Sequence, residues 1–432
     1  MDWKKTYTDK LATAEEAVQL IKSNDRVVVG LGVGAPPALL DAMTKNHAAY
    51  KDVEVVGMLP VIKTEYLAPG MEPHFRHNSL FVSAKSRQTV SEGHGDYTPC
   101  YFYRIPLLWE EALPIDVALV QVSSPDEHGY CSLGISVDYT KSAAQNAKTT
   151  IAQVNKYMPR TLGDSFMHIS EFDCIVEHDE KLLSPGAPVI GDVEKAIGEH
   201  CAGLVKDGDC LQLGIGAIPD AVLLFLKDRK DLGIHTEMFS DGVLELVKEG
   251  VINNAKKNVN KGKIISAFLM GSQEFYKFVD NNPMVSMHPV TYTNDPFIAG
   301  QNDNLVSINS CVQVDLLGQV SSETIGETQI SGIGGQVDFV RAAAVSKGGR
   351  SIIAMPSTAK GGTVSKIVPI LDEGAVVTTN RCDVQYIVTE YGVANLKNRT
   401  NKERARALIE IAHPKFHDEL KEAFEKKFNC KY

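Results

Sequence analysis

The sequence predicts an α/β fold on the basis of three observations. Short apolar runs alternate with segments of helical spacing, many of these runs are apolar on both sides, and one helix, strand and glycine-loop unit occurs twice. Such alternation is typical of a largely parallel sheet covered by helices on both faces. With 432 residues, the chain is long enough for two or three domains.

Apolar periodicity gives the individual elements in chain order. The predicted strands are 26–29, 53–56, 116–122, 174–177, 210–213, 264–269, 351–355, 375–378 and 386–389. The predicted helices are 14–21, 37–44, 193–205, 219–226, 243–248 and 402–411.

The repeat predicts two related halves. Residues 20–34 align without gaps on residues 204–218, an offset of 184, and pairing 52–58 with 231–237 places Met58 opposite Glu237. We therefore predict an N-terminal domain, 1–188, and a C-terminal domain, 189–432, joined by the Pro- and Gly-rich segment 185–191. Chance similarity of two ordinary strand-to-helix turns is the alternative.

Composition narrows the class of protein. The net charge of −10 argues against a nucleic-acid-binding protein, which needs a basic face. We find neither an apolar run long enough to cross a membrane nor an apolar signal segment, so we expect a cytoplasmic protein without a membrane partner. The eight scattered cysteines predict reduced, mostly buried thiols and no metal site.

A glycine loop at 214–219 follows a predicted strand and opens a helix. Its backbone N–H groups suit a phosphate, an amide or a developing oxyanion. Pro219 stands where a dinucleotide-binding fingerprint needs its third glycine, which disfavours a dehydrogenase. A purely structural turn remains the alternative.

Two further segments contain polar groups suited to a site. Glu237 is predicted at the carboxyl end of a short strand, where open α/β sheets bind ligands, although a surface or capping role is the simpler interpretation. The amide side chains of Asn309, Gln313 and Gln336 occur near glycines 332, 334 and 335, either as part of a site or in a turn-rich connection.

Five motifs resemble the acetyl-CoA hydrolase/transferase family of class I CoA-transferases. They are Gly-Ile-Gly-Ala-Ile-Pro at 214–219, His-Thr-Glu-Met-Phe-Ser-Asp-Gly at 235–242, Asn-Ser-Cys-Val-Gln-Val-Asp at 309–315, Gly-Ile-Gly-Gly-Gln-Val-Asp-Phe at 332–339 and Val-Thr-Glu-Tyr-Gly-Val-Ala at 388–394. The resemblance runs essentially from end to end. It implies two related open α/β domains of the CoA-transferase type, with the active site in the cleft between them.

The same resemblance implies roles for individual residues. Glu237 would be the catalytic nucleophile that forms a glutamyl-CoA thioester, with backbone N–H groups of Ile218 and Gly335 stabilising oxyanions and with Asn309 and Glu390 supporting the glutamate. The residues implied to contact CoA are Gly214, Ile215, Gly216, Ala217, Ile218, Val312 and Gly335.

The implied reaction moves CoA between acetyl-CoA or butyryl-CoA and a short carboxylate such as 4-hydroxybutyrate, butyrate or acetate. CoA is then a substrate, no cofactor is tightly bound, and relatives lead us to expect at least a homodimer. Hydrolysis of acyl-CoA through the same glutamate is the alternative, because only the exclusion of water separates the two reactions. A CoA-binding protein without catalysis is a third hypothesis.

Overall fold

The computed structural model describes residues 2–186, 188–214 and 216–432. The α-helices are α1 (Trp3–Asp9), α2 (Ala14–Ala17), α3 (Pro37–Lys45), α4 (Arg87–Ser91), α5 (Ile105–Glu111), α6 (Thr140–Asn146), α7 (Asp192–Ala202), α8 (Ala217–Leu224), α9 (Asp241–Lys248), α10 (Gln273–Val279), α11 (Val290–Thr293), α12 (Pro296–Ala299), α13 (Gln336–Val345), α14 (Asn401–Glu410) and α15 (His417–Phe428). Short 3₁₀ helices are found at Val18–Leu20, Gly32–Gly34, His47–Ala49, Glu65–Leu67, Phe102–Arg104, Ile169–Glu171 and Pro414–Phe416.

The strands are β1 (Arg26–Val29), β2 (Val53–Met58), β3 (Phe75–Phe81), β4 (Gly95–Tyr97), β5 (Val117–Val122), β6 (Tyr130–Ser132), β7 (Thr149–Val154), β8 (Leu162–Gly163), β9 (Phe166–His168), β10 (Cys174–Glu177), β11 (Cys210–Leu213), β12 (Gly233–Ile234), β13 (Met238–Phe239), β14 (Ile264–Ser266), β15 (Phe268–Leu269), β16 (Val285–Met287), β17 (Leu305–Ser310), β18 (Gln313–Asp315), β19 (Val320–Ser321), β20 (Thr324–Ile325), β21 (Thr328–Gln329), β22 (Arg350–Ala354), β23 (Thr358–Ala359), β24 (Val364–Ser365), β25 (Ile367–Val368), β26 (Tyr386–Thr389) and β27 (Gly392–Asn395). The predicted α/β class is confirmed.

The division of the chain into two compact units is discontinuous. Unit 1 comprises Met1–Gly186, Ile265–Thr293 and Gln329–Gly334, and unit 2 comprises Ala187–Ile264, Asn294–Thr328 and Gly335–Tyr432. The chain returns to unit 1 because β16 pairs in parallel with β8, and because Val82 N donates to Ser331 O at 3.3 Å. A single boundary between residues 188 and 189, as predicted, does not account for the two later segments that belong to unit 1, Ile265–Thr293 and Gln329–Gly334. The predicted linker, 185–191, contains Ala187, which lies outside the described residues.

Unit 1 is built on a seven-stranded parallel sheet in the order β10-β7-β5-β1-β2-β3-β4. Every residue of β2 and β5 is buried. The apolar core packs α2 and α3 against this sheet, with Leu39, Leu40 and Met43 among its members. Burial on both faces explains why these strands read as continuous apolar runs.

Unit 2 contains a six-stranded sheet in the order β12-β11-β17-β22-β26-β27. All neighbouring strands are parallel except β26 and β27, which form an antiparallel edge. Helices α14 and α15 contribute Leu408 and Phe424 to the apolar cluster beside this edge. The carboxyl ends of β11 and β17 are therefore adjacent, because parallel neighbours end at the same side of a sheet.

The repeat is confirmed in three dimensions, because the same turn precedes β1 and β11. Lys22 N donates to Asp25 Oδ2 at 2.8 Å, and Lys206 N donates to Asp209 Oδ2 at 2.6 Å. In the parallel sheet register, Arg26 of β1 lies opposite Glu54 of β2 in unit 1, and Cys210 of β11 lies opposite Gly233 of β12 in unit 2.

This register also fixes the equivalence of Met58 and Glu237. Arg26 and Cys210 are equivalent in the repeat, so their sheet partners Glu54 and Gly233 are equivalent as well. Met58 and Glu237 each lie four residues beyond these partners. Met58 and Glu237 are therefore equivalent positions of the repeat, as predicted. Only the position in unit 2, Glu237, carries an acid.

Other sequence-based expectations have mixed outcomes. Four predicted strands, β1, β10, β11 and β26, have the predicted bounds. The predicted strand 375–378 is wrong: Val376 and Val377 are 42% and 45% exposed, and Ala375 N donates to Asp372 O in a turn.

All eight cysteines are free, and most of them are buried. Within the described residues, no helix is long and apolar enough to cross a membrane.

Candidate active site

The glycine loop of unit 2 connects β11 to α8. Gly214 N donates to Ile308 O at 3.0 Å, which fixes the start of the loop to the neighbouring strand β17. Gly216 has φ +110° and precedes the first residue of α8, and a Cβ at this glycine would meet open space. A non-glycine residue would be strained at this φ, so the sequence places glycine where the backbone requires it.

The predicted CoA contacts in this loop lie at the N-terminus of α8. Ala217 and Ile218 are the first two helical residues, and N–H groups of a first turn have no carbonyl acceptor within their own helix. Such N–H groups favour an anionic partner. Ile215, another predicted contact, lies outside the described residues.

Thr236 holds the segment that carries Glu237 against the end of β11. Its Oγ1 accepts from Leu213 N at 3.2 Å and lies 3.0 Å from Leu213 O and 2.9 Å from Met238 O. Glu237 follows directly and is partly exposed, whereas Thr236 is buried. The carboxylate therefore extends from an anchored backbone at the carboxyl end of the sheet, where open α/β sheets bind ligands.

A second link joins this segment to α8. Ser240 Oγ donates to Asp220 Oδ1 at 3.2 Å. Burial raises the pKa of the Asp220 carboxyl above its usual range. Hydrogen bonds at both ends of residues 236–240 thus join this segment to β11 and α8, the two elements that flank the glycine loop.

The carboxylate of Glu237 lies between Asn294 and Gly335. Asn294 Nδ2 donates to Glu237 Oε2 at 2.8 Å, and Asn294 is fully buried. A Cβ at Gly335 would overlap both Glu237 Oε2 and Asn294 Nδ2 and would lie 3.2 Å from Glu237 Cδ. The structure thus brings together two predicted site residues, Glu237 and Gly335.

Gly335 is positioned by the start of α13. It is the N-cap residue of this helix, and the next residue, Gln336, donates from Nε2 to Ser310 O at 3.1 Å. That hydrogen bond joins the helix to the end of β17. Val312, a predicted CoA contact, lies two residues further on and donates from its backbone N to Ser321 O at 2.9 Å.

Asn309 belongs to a buried polar network below the glycine loop. Its Nδ2 donates to Gln212 Oε1 at 3.0 Å and to Ser307 Oγ at 2.9 Å, and its Oδ1 accepts from Gln212 Nε2 at 3.3 Å. A Cβ at Gly214 would lie 3.7 Å from Asn309 Oδ1. Asn309 therefore buttresses the loop, while its support of Glu237 stays a prediction.

Glu390 accepts two hydrogen bonds from Ser357, at 2.8 Å from the backbone N and at 2.6 Å from Oγ. These bonds fix the carboxylate at the end of β26. Its predicted support of Glu237 also stays a prediction.

Sequence reasoning missed Asn294. The residue precedes Asp295-Pro296, where α12 begins, and Asp295 caps that helix. The one available signal was an amide residue next to a helix start that would need a partner if buried. Asp338 belongs to the motif at 332–339, and its Oδ2 lies 3.4 Å from Asn294 Nδ2.

Two family models cover most of the chain. Residues 1–185 match the acetyl-CoA hydrolase/transferase N-terminal domain, and residues 271–424 match the acetyl-CoA hydrolase/transferase C-terminal domain. The chain therefore belongs to the acetyl-CoA hydrolase/transferase family. The family predicted from the sequence motifs is confirmed.

Individual relatives extend over nearly the whole length. A 4-hydroxybutyrate coenzyme A transferase from Clostridium kluyveri is 60% identical over 429 residues, covering 99% of this chain and 100% of the relative. A butyryl-CoA:acetate CoA-transferase from Anaerostipes caccae is 39% identical, covering 99% and 98%. A protein named acetyl-CoA hydrolase, from Yarrowia lipolytica, is 25% identical, covering 99% and 92%.

A solved structure shows the same fold. The crystal structure of 4-hydroxybutyrate CoA-transferase from Porphyromonas gingivalis superposes with a TM-score of 0.85 at 43% identity, covering 99% of this chain and 100% of that chain.

Proposed function

We propose that the chain transfers CoA between an acyl-CoA and a short carboxylate through a covalent intermediate on Glu237. The observation that carries the proposal is the carboxylate of Glu237 held at the end of the unit 2 sheet against the backbone of Gly335, in a chain whose 60% identical relative is a CoA transferase. A carboxylate is a weak nucleophile, so positioning and binding energy from the rest of CoA must lower the barrier.

The reaction needs no net proton transfer. A Glu237 oxygen attacks the thioester carbonyl, the C–S bond breaks, and CoA leaves as the thiolate. The thiolate then attacks Cδ of the acyl-glutamyl anhydride, the Cδ–O bond breaks, and the donor acid leaves as a carboxylate. The acceptor carboxylate opens the resulting glutamyl-CoA thioester by the same two steps in reverse, which gives ping-pong kinetics.

Each addition forms a tetrahedral oxyanion. We assign its hydrogen-bond donors to the backbone N–H groups of Ile218, at the start of α8, and of Gly335, beside the glutamate. Removal of a single such donor typically lowers the rate about 10²-fold or more. The glycine loop 214–218 and Val312 would contact CoA, which enters as a substrate.

Transfer is better supported than hydrolysis. Relatives named as transferases are 39% and 60% identical to the chain, whereas the relative named acetyl-CoA hydrolase is 25% identical. For the acids, the 60% identity favours 4-hydroxybutyrate, with butyrate and acetate as the other candidates. We further expect a cytoplasmic homo-oligomer.

The first experiment tests transfer against hydrolysis. Purified protein is mixed with acetyl-CoA or butyryl-CoA, alone and with acetate, butyrate or 4-hydroxybutyrate, while free thiol and each acyl-CoA are followed by chromatography. Transfer predicts a new acyl-CoA that forms only with acceptor and without thiol release. Thiol release at the same rate with and without acceptor would establish hydrolysis instead.

Matched glutamate variants test the nucleophile. E237A is expected to abolish turnover, whereas E245A, which removes an exposed glutamate paired with Lys248 on α9, should keep the wild-type rate. Borohydride added during turnover should reduce the glutamyl thioester to an alcohol at Glu237 alone. Near wild-type turnover by E237A would exclude this mechanism, and saturable CoA binding without turnover in the wild type would indicate a binding protein.

A further inference from the structure

We propose that Lys366 is a positioning residue for CoA: its ammonium holds the carbonyl of Cys311 and thereby fixes the loop 310–312 that follows β17. The inference rests on the function proposed above, because Val312 of this loop is one of the proposed CoA contacts. Lys366 Nζ donates to Cys311 O at 3.0 Å, which joins residues 55 apart in the sequence. The lysine therefore acts on CoA through the main chain of the loop.

Side chains hold the carbonyls at the start of this loop. Ser310 is the last residue of β17, and carbonyl groups beyond the end of a strand need donors from outside the sheet ladder. Gln336 Nε2 donates to Ser310 O at 3.1 Å, and Lys366 Nζ donates to the next carbonyl, that of Cys311. Two successive peptides that lead to Val312 are thus fixed by side chains.

The first of these hydrogen bonds relates the loop to the nucleophile. Gln336 follows Gly335, whose peptide packs against the carboxylate of Glu237. The second hydrogen bond, from Lys366, fixes the peptide directly before Val312. Together they set where a substrate bound against Val312 stands relative to the glutamate, so we expect loss of Lys366 to weaken substrate binding.

The backbone of Lys366 is itself fixed. Lys366 N donates to Ser357 O at 2.9 Å, and Val314 N donates to Lys366 O at 2.9 Å. The next residue, Ile367, lies opposite Val314 in the parallel pair of β18 and β25. The partly buried side chain therefore reaches Cys311 from an anchored main chain.

A nearby carboxylate favours the charged form of this lysine. Ser357 donates from its N and Oγ to Glu390 and accepts from Lys366 N, so it contacts both residues. Burial lowers the pKa of the Lys366 ammonium, whereas the negative charge of Glu390 raises it. A charged donor makes a stronger hydrogen bond than a neutral one, so Glu390 strengthens the hold on Cys311.

K366M tests the role because methionine keeps an unbranched apolar side chain and removes the donor. The lysine acts on a proposed CoA contact and not on the reacting atoms, so substrate and transition state should be weakened equally. We expect the KM for acyl-CoA, and the Kd for CoA measured by calorimetry, to rise about 10-fold. The kcat per active site should stay within about threefold, with active sites counted by borohydride trapping.

Two further variants separate positioning from folding. K366R keeps a cationic donor and should recover most of the lost affinity. R229M removes a cation that also holds main-chain carbonyls, since Arg229 donates from Nε to Val205 O at 2.9 Å and from Nη2 to Ala202 O at 3.2 Å. These carbonyls precede β11, whereas the glycine loop follows it. R229M should therefore lower stability without raising the Kd for CoA.

Ionic strength separates positioning from direct pairing of Lys366 with a phosphate of CoA. An exposed ion pair is screened between about 50 mM and about 500 mM salt, whereas a hydrogen bond inside the protein is screened much less. The ratio of the KM of K366M to that of wild type should therefore be the same at both salt concentrations. A ratio that falls towards one at high salt would show phosphate pairing and overturn the positioning role.

The outcomes distinguish this inference from the proposed function. Absence of transfer in the wild type would overturn the proposed function and this inference with it. Active wild type would overturn the role of Lys366 alone if K366M kept the wild-type KM and Kd, lost only kcat, or matched R229M in its rise of Kd. Should K366M fail to fold, K366Q, which has a shorter and uncharged side chain, is judged by the same Kd and the same salt comparison.

Discussion

Gly335 lies so close to Glu237 that a methyl group at position 335 would overlap Oε2 of the carboxylate. The same methyl group would overlap Asn294 Nδ2, so neither neighbour could keep its place. A glycine is required here by close approach, since no positive φ is involved.

G335A is therefore expected to displace the nucleophile and reduce kcat for transfer by about 10²-fold, the loss typical of misplacing a reacting group by about 1 Å. The measurement is kcat per folded protein, with G186A as the control, because a Cβ at Gly186 meets no atom within 4 Å. Equal kcat for G335A and wild type would contradict the observed packing.

Gly216 tests the proposed CoA contact at the start of α8. Its φ of +110° is strained for alanine although space is open around the Cβ, so G216A should act through the backbone. We expect a stability loss of about 1–3 kcal/mol and a clearly raised KM for acyl-CoA. Gly250, at φ +76° in equally open space within unit 2, provides the matched variant G250A. An equal rise of the KM for acyl-CoA in G216A and G250A would show that backbone strain, and not the loss of a CoA contact, causes the effect.

The network around Asn309 supports a third prediction. N309A removes the hydrogen bonds that Asn309 makes to Gln212 and Ser307, which keep only their bond to each other, and it should lower the free energy of unfolding by about 1–3 kcal/mol. Because Asn309 also lies against Gly214, activity should fall as well, whereas S307A should mainly lower stability. Denaturant unfolding and initial rates of all three proteins give the comparison. Identical losses of activity in N309A and S307A would assign Asn309 to stability only.

The sequence could predict those parts of the site whose signals are local. Strand β11, the glycine loop and Glu237 all carry recognisable patterns within a few residues. The contact of Glu237 with Asn294 joins residues 57 apart, and it depends on tertiary folding that single-sequence patterns do not contain.

Three of the strands that the sequence analysis did not predict share a physical cause. β3, β7 and β17 contain polar residues that interrupt the apolar run, although these residues are buried. In β3, Asn78 Nδ2 donates to Glu54 Oε1 at 3.0 Å on the neighbouring strand. Hydrogen bonds across the sheet satisfy such groups, so hydropathy alone does not find these strands.

His77 on β3 gives a pH prediction for unit 1. Its Nδ1 lies 3.2 Å from Val55 O, its Nε2 is buried without a hydrogen-bond partner, and burial lowers its pKa to about 4. Protonation would leave a charged N–H without an acceptor, so the folded state holds the ring neutral. The unfolded chain takes up the proton near its ordinary pKa of 6.5.

Between these two values the unfolded state binds more protons, so stability falls as the pH is lowered from 6.5 towards 4. The loss attributable to His77 between pH 7 and pH 5 is about 2 kcal/mol. H77Q removes the titrating group, and denaturant unfolding of wild type and H77Q across this range should show a smaller pH slope in the variant. The other histidines are common to both proteins and cancel in the difference. Parallel slopes would place the acid sensitivity elsewhere in the fold.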